Sequence, residues 1–125
     1  DPMSKKESAT TFLKMASSGN VDEAYARFIA PDFIHHNQYF RGDRESLKSA
    51  MAEAHAKSPN KLFDVKQVFE DGDFVITHSL VVRSGPEDPD VAVVHIFRFR
   101  GDKVVELWDL GQLLSKDSSN ENGAF

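Results

Sequence analysis

The stretch VAVVHIFRFRGDKVVELWDLGQLL, residues 91–114, has the pattern of two β-strands joined by a tight turn at Gly101–Asp102. Runs rich in Val, Ile and Phe on both sides of a Gly-Asp pair are typical of a hairpin. The preceding segment, KLFDVKQVFEDGDFVITHSLVVRSG at residues 61–85, repeats this pattern around Asp71–Gly72. Asp-Gly is a strong hairpin signal. The second half of the chain therefore predicts about four antiparallel strands.

The first 58 residues instead carry apolar residues at helical spacing. Ser4 and Asn20 each stand three positions before a glutamate, which is the pattern of a capping box. Asp43 begins a third helix, and Pro31 is expected to end the second, because the residue before proline avoids helical angles. The three apolar stripes are Ala9, Phe12, Leu13 and Ala16; Val21, Ala24, Tyr25, Phe28 and Ile29; and Leu47, Ala50, Met51 and Ala54.

Three helices followed by strands predict an α+β domain, with the helices packed on one face of an antiparallel sheet of about four strands. We expect the native chain to start at Met3, because Asp1 and Pro2 precede it. The predicted domain spans residues 3–114, and the polar residues 115–125 are predicted to form a C-terminal tail.

The 125-residue chain has the bulk composition of one small folded domain, with 40% hydrophobic and 28% charged residues. Its net charge of −5 argues against a nucleic-acid partner, which would need a basic face. The sequence has no cysteine, which excludes disulfides and thiolate metal sites and fits a reducing compartment. No apolar run approaches the roughly 20 residues that cross a bilayer. We therefore expect a cytoplasmic protein with neither a membrane nor a nucleic-acid partner.

Strand alternation suggests which side chains face the helices. In residues 91–100, His95 shares a face with apolar residues, while Arg98 and Arg100 lie on the other face, so we expect His95 inside. In residues 74–82, His78 alternates with apolar residues and is also expected on the inner face. The inside of the last strand, which carries Asp109, stays undecided on this criterion.

Buried histidines need hydrogen-bond partners. Each of these could simply be a core residue bonded to a backbone carbonyl. Alternatively, His78, His95 and Asp109 converge on one face, and the stretch DFIHHNQYFRGD at residues 32–43 brings further polar groups to the open end of the sheet. Titratable groups meeting on an apolar face are typical of a pocket. In that turn we expect His35 to face solvent or bond the turn, and Asn37 to satisfy the turn backbone or contact a ligand.

Three segments in this order resemble the SnoaL-like family of the nuclear-transport-factor-2-like superfamily. They are Phe33-Ile34-His35-His36-Asn37, Phe97–Arg98 with residues 101–112, and the terminal residues 120–125. The family pattern has a histidine before the tryptophan, where this chain has Leu107. The resemblance implies a cone-shaped α+β barrel with a ligand cavity at its wide end.

The resemblance also implies roles for individual residues. By analogy with ketosteroid isomerase, a relative in the superfamily, the face of Leu107 and Asp109 lines the cavity. His95 falls at the position of the oxyanion-stabilising acid in that enzyme, and His36 falls near its base. Cyclisation or isomerisation needs a base and an oxyanion donor.

The resemblance thus predicts cofactor-free acid/base chemistry on a small hydrophobic carbonyl compound. Asp109 is the predicted acid/base, His36 an assisting base and His95 the oxyanion donor, with no metal or organic cofactor required. The predicted binding residues are His78, Asn37, Phe33, Phe97 and Leu107, and His78 is also expected to orient one of the three catalytic groups.

Two other functions remain open at this stage. The same fold could bind an apolar ligand without chemistry. His36, His78, His95 and Asp109 could instead hold one metal ion, although their spacing forms no compact ligand motif. The resemblance also implies a homodimer through the outer sheet face, where Val94, Ile96, Trp108 and Leu110 would form an apolar patch.

Overall fold

A computed structural model describes residues 3–83, 85 and 87–125 of the chain and shows three helices packed on a five-stranded sheet. None of the helices in these residues is long and apolar enough to cross a membrane. The elements are α1 Lys5–Ser17, α2 Val21–Phe28, β1 Ile29–His35, α3 Arg44–Lys57, β2 Leu62–Asp71, β3 Phe74–Val82, β4 Val91–Arg100 and β5 Lys103–Leu113.

The helix starts follow the sequence signals in two of three cases. Ser4 and Glu7 form the predicted capping box, with both hydrogen bonds at 3.1 Å. Asp43 caps α3 by accepting from the backbone N–H of Ser46 at 3.1 Å. Asn20 makes no side-chain hydrogen bond at the start of α2. The backbone N–H of Asn20 is instead used to close the preceding helix, on the carbonyl of Met15 at 2.9 Å.

The sheet has the order β1-β5-β4-β3-β2, which corrects the prediction of about four antiparallel strands. The additional strand is β1, which runs parallel to β5. It contains Pro31, which has no N–H to donate and is tolerated because β1 lies at the edge of the sheet, with a register shift between Ile29 and Ile34. The second helix therefore ends at Phe28, three residues before Pro31.

The sheet is also open rather than a closed barrel. Its edge strands, β1 and β2, lie at opposite ends of the strand order in the part of the chain that the structure describes. The helices cover one face, which we call the inner face. Phe12 of α1 meets Tyr25 of α2 and Phe97 of β4 edge to face, with ring centroids 5.6 and 6.3 Å apart. These aromatic residues belong to the hydrophobic core between the helices and the sheet.

Candidate active site

A polar row crosses the inner face of the sheet. Thr77 of β3 is the cross-strand partner of His95 of β4, and His95 is the partner of Asp109 of β5. Cross-strand partners hold their Cβ atoms roughly 5 Å apart. The pairing therefore brings the imidazole beside the carboxylate, as the resemblance implied, and adds Thr77, which is buried on the inner face of β3.

Asn37 joins the turn after β1 to this row. Its side-chain amide donates to Oδ2 of Asp109 at 3.0 Å, while its Oδ1 accepts from the backbone N–H of Tyr39 at 3.1 Å. The same side chain thus satisfies the turn and fixes one carboxylate oxygen. Asn37 therefore acts on Asp109 directly, which sequence alone did not suggest.

His35 holds the turn from inside. Its Nδ1 accepts from the backbone N–H of Asn37 at 3.1 Å, so its ring proton lies on Nε2, which donates to the carbonyl of Arg41 at 2.6 Å. His35 is buried. It is the turn-bonding residue that was one of the two expectations, and it does not face solvent.

A cleft of about 680 Å³ opens at the Asp109 end of the row, and Thr77 and His95 are not among the residues that line it. The turn after β1 and the last residues of β4 and β5 form its walls, and both Asp109 and His36 line it. The lining residues are His36, Asn37, Gln38, Tyr39, Val91, Val93, Trp108, Asp109, Leu110, Gly111 and Leu113. Asp109 is half-buried, so a carboxylate is presented to a mainly apolar opening.

His95 lies one strand further in and is only 5% exposed. The rings of Phe63 and Phe97 are at centroid distances of 6.1 and 5.9 Å from the imidazole. Burial lowers the pKa of His95 below its usual value, and the charge of nearby Asp109 works in the opposite direction. Burial dominates, so the ring is neutral at neutral pH and carries one N–H that can donate.

His36 points to the outer side of the sheet. Its Nε2 contacts Oε2 of Glu106 at 2.6 Å, and its ring stacks on Trp108 with centroids 4.9 Å apart. Arg98 donates to the other oxygen of Glu106 at 2.9 Å. The hydrogen bonds from His36 and Arg98 hold the pKa of Glu106 below its usual range. His36 therefore lies at the rim of the cleft and is held there by Glu106 and Trp108. No pattern in the sequence indicated either contact.

His78 is on the outer face, which corrects the prediction that it faces the interior. The buried positions of β3 are Val75, Thr77 and Ser79, and His78 alternates with them. Its ring lies 4.6 Å from that of the C-terminal residue, Phe125. It cannot orient His95 or Asp109 from there.

The other three predicted binding residues, Phe33, Phe97 and Leu107, are core residues with at most 3% exposure. Their role in ligand binding stays a prediction. Tyr25 is a further polar group near the row, and no pattern in the sequence pointed to its hydroxyl. Its hydroxyl donates to Sδ of Met51 at 3.6 Å, and burial raises its pKa. A tyrosine at a helical core position gives no signal that its hydroxyl lies near a carboxylate.

The residues of the alternative metal site are divided between two faces of the sheet. His95 and Asp109 lie on the inner face, whereas His78 lies on the outer face and His36 contacts Glu106 there. In residues 3–83, 85 and 87–125, no three His, Asp or Glu side chains are arranged to hold a metal ion. The four residues of the metal hypothesis therefore do not meet at one site in the described part of the chain.

Comparison with known proteins identifies the family. No curated protein matches the chain. Among solved structures, IdmH, a proposed polyketide cyclase from Streptomyces antibioticus, is 18% identical with a TM-score of 0.75, over 87% of this chain and 92% of its own. A proposed polyketide cyclase from Acidithiobacillus ferrooxidans is 24% identical with a TM-score of 0.73, over 89% and 90%.

A third structure, an uncharacterised cystatin-fold protein from Novosphingobium aromaticivorans, is 24% identical with a TM-score of 0.74, over 86% and 98%. At these identities the likeness shows the fold alone. The family model of the SnoaL-like domain matches residues 9–107. The chain therefore belongs to the SnoaL-like domain family.

Proposed function

We propose that the protein catalyses cofactor-free proton transfer at the carbon next to a carbonyl group, in an aldol-type cyclisation or isomerisation of a small hydrophobic compound. The observation that carries this proposal is the pairing of Asp109 with His95 in one register row. One group is a carboxylate open to the cleft, and the other is a buried neutral imidazole.

In this proposal Asp109 removes the α-proton of the carbonyl compound. Asn37 holds Oδ2 of the carboxylate at 3.0 Å and so fixes where Oδ1 points. The N–H of His95 donates to the carbonyl oxygen as it becomes an enolate oxygen. A fixed donor in a site with little water stabilises this charge more than solvent would. Asp109 then returns the proton, either to carbon in an isomerisation or to the new alkoxide in an aldol step.

His36 has a secondary role in this scheme. It lies at the rim of the same cleft as Asp109, but its Nε2 is engaged with Glu106. While this contact holds, the only ring nitrogen of His36 that can accept a proton is Nδ1. We therefore expect Asp109 to matter more than His36 for turnover.

Deuterium exchange tests the proposal without knowledge of the natural substrate. In D₂O, wild-type protein should exchange the α-protons of 2-tetralone faster than buffer does, as followed by NMR. Asp109→Asn should lower the enzymatic rate by about 100-fold or more. Asp102→Asn is the matched control, because Asp102 lies exposed in the β4–β5 turn and should exchange at the wild-type rate. Equal rates for wild type and Asp109→Asn would refute the proposal.

The second candidate function is ligand binding without chemistry. It is favoured by the apolar part of the cleft wall, formed by Val91, Val93 and Leu113. Saturable binding of 2-tetralone with no exchange above buffer would support this function over catalysis.

We also propose that two copies pair through the outer face of the sheet. Phe69, Phe74, Ile76 and Leu110 are between 37% and 57% exposed there. Ile96 is the cross-strand partner of both Ile76 and Trp108, which makes the patch continuous. A contiguous apolar surface of this kind is typical of an interface.

A further inference from the structure

The C-terminal tail, residues 115–125, folds back onto the outer face of the sheet. Its residues 123–124 line one groove together with Gln112 at the end of β5. Phe125 then lies on the sheet itself, with its ring centroid 4.6 Å from that of His78 on the outer face of β3. The last residue of the chain therefore covers part of the outer face, on which the proposed pairing depends.

The tail is a polar tether with an apolar end. Residues 115–123 are all exposed, whereas Phe125 keeps only 45% of its surface exposed although it is the last residue of the chain. The hydrogen bonds within the tail are local: the backbone N–H groups of Asp117, Asn120 and Asn122 each donate to the side chain two residues earlier. These bonds shape the tail, but they do not attach it to the sheet. The ring of Phe125 is therefore the contact that holds the end of the tail on β3.

The seat of this ring belongs to the same surface as the outer apolar patch. His78 is the cross-strand partner of Val94, which in turn pairs with Leu110. Ile76 lies two positions before His78 on the same face of β3, about 7 Å away. Leu110 and Ile76 are both members of the patch. The ring of Phe125 therefore lies at the border of the surface through which two copies would meet.

Close packing of two sheets leaves no room for a ring in this position. Sheets that pack face to face lie about 10 Å apart, and the side chains of the two facing surfaces fill that space. A phenylalanine ring laid over His78 occupies the layer that the side chains of the second copy would fill. Pairing along this row therefore requires the ring to leave its seat.

We propose that Phe125 is an intramolecular plug, which covers His78 in the monomer and is released when two copies pair through the outer face. The inference rests on the proposed pairing. It makes pairing weaker than the apolar patch alone would allow, because each copy must release its own plug. The dissociation constant of the dimer is therefore raised by the square of the factor that one plug imposes.

Sedimentation equilibrium of single-residue variants tests the plug. Phe125→Ser removes the ring without a change of charge and should tighten the dimer at least about tenfold, which corresponds to a docked ring in about two thirds of the monomers. Ser119→Ala changes an exposed residue of the tail and should dimerise like wild type. In a His78→Ser background, which lacks the seat, Phe125→Ser should change the dissociation constant by less than about twofold.

Carboxypeptidase A, which removes a C-terminal phenylalanine, tests the seat independently of pairing. At concentrations where the protein is monomeric, it should release Phe125 from His78→Ser about threefold faster than from wild type, because the enzyme acts on the undocked end. Equal rates would show that the ring is not held on His78, and would overturn the inference.

An unchanged dimer in Phe125→Ser would also overturn it, and so would a weaker one, which would make Phe125 part of the interface. A wild-type dimer that Leu110→Asp disrupts and Phe125→Ser leaves unchanged would refute the plug and leave the proposed pairing intact. Absence of a dimer in every variant would refute both. Deuterium exchange of 2-tetralone does not depend on these outcomes, so the proposed catalysis is tested separately.

Discussion

The buried imidazole of His95 should make the protein lose stability as the pH falls below the usual range for histidine. Burial lowers the pKa of His95 in the folded state, whereas the unfolded chain takes up the proton near the ordinary value of 6.5. Below that pH the unfolded state binds a proton that the folded state does not bind. The contribution of His95 to the free energy of unfolding is therefore present above pH 6.5. It is lost as the pH falls toward the pKa that His95 has in the folded protein.

The magnitude follows from proton linkage. A full difference of one proton changes the free energy of unfolding by 2.3RT per pH unit. Integrated from pH 7.5 to 5.5 across the unfolded pKa, one buried histidine that stays neutral in the folded protein contributes at most about 1.4 kcal/mol of lost stability. Asp109 is the charged group opposite the ring, and its attraction for the protonated form keeps the loss below this limit.

Urea unfolding at pH 7.5 and 5.5 measures this loss. His95→Leu should lose less stability than wild type between the two pH values, because it has no ring to protonate. His78→Leu is the control: it removes a histidine from the outer face of the neighbouring strand and should keep most of the wild-type pH dependence. An identical pH dependence in His95→Leu and wild type would show that folding does not lower the pKa of His95, and would refute the buried neutral imidazole on which the proposed donor role depends.

Three further predictions concern other parts of the molecule. Leu110→Asp places a charge on the outer apolar patch and should shift the protein from dimer to monomer in sedimentation velocity; a wild-type monomer at micromolar concentration would contradict the proposed pairing. Asn37→Ala removes the hydrogen bond to Asp109 and the turn bond from the Tyr39 N–H; it should slow deuterium exchange of 2-tetralone and lower the urea midpoint slightly, whereas an unaffected rate would show that Asn37 does not position the carboxylate. Ser4→Ala breaks the capping box with Glu7 and should destabilise the protein by about 1 kcal/mol in urea unfolding, with no effect on exchange.

The sequence alone determined the three helices, the four strands of the second half of the chain and the family. The hairpin turns lie at Gly72–Asp73, one residue later than predicted, and at Gly101–Asp102. They depend on residues adjacent in the chain, because short-range backbone geometry fixes them. The capping box at Ser4 depends on a spacing of three residues. His95 was placed correctly, because Arg98 and Arg100 mark the opposite face of its strand.

Only the tertiary structure decided which strands pair and which side chains meet on each face of the sheet. The parallel pairing of β1 with β5 joins segments about 70 residues apart, and no local pattern around Pro31 encodes it. His78 was assigned to the wrong face because the outer face of β3 is itself apolar, so hydropathy cannot distinguish a core from a surface patch. The link from Asn37 to Asp109 follows only from the register of the sheet. Strand alternation assigns a residue to one of two faces, but only the packed helices determine which of those faces is the interior.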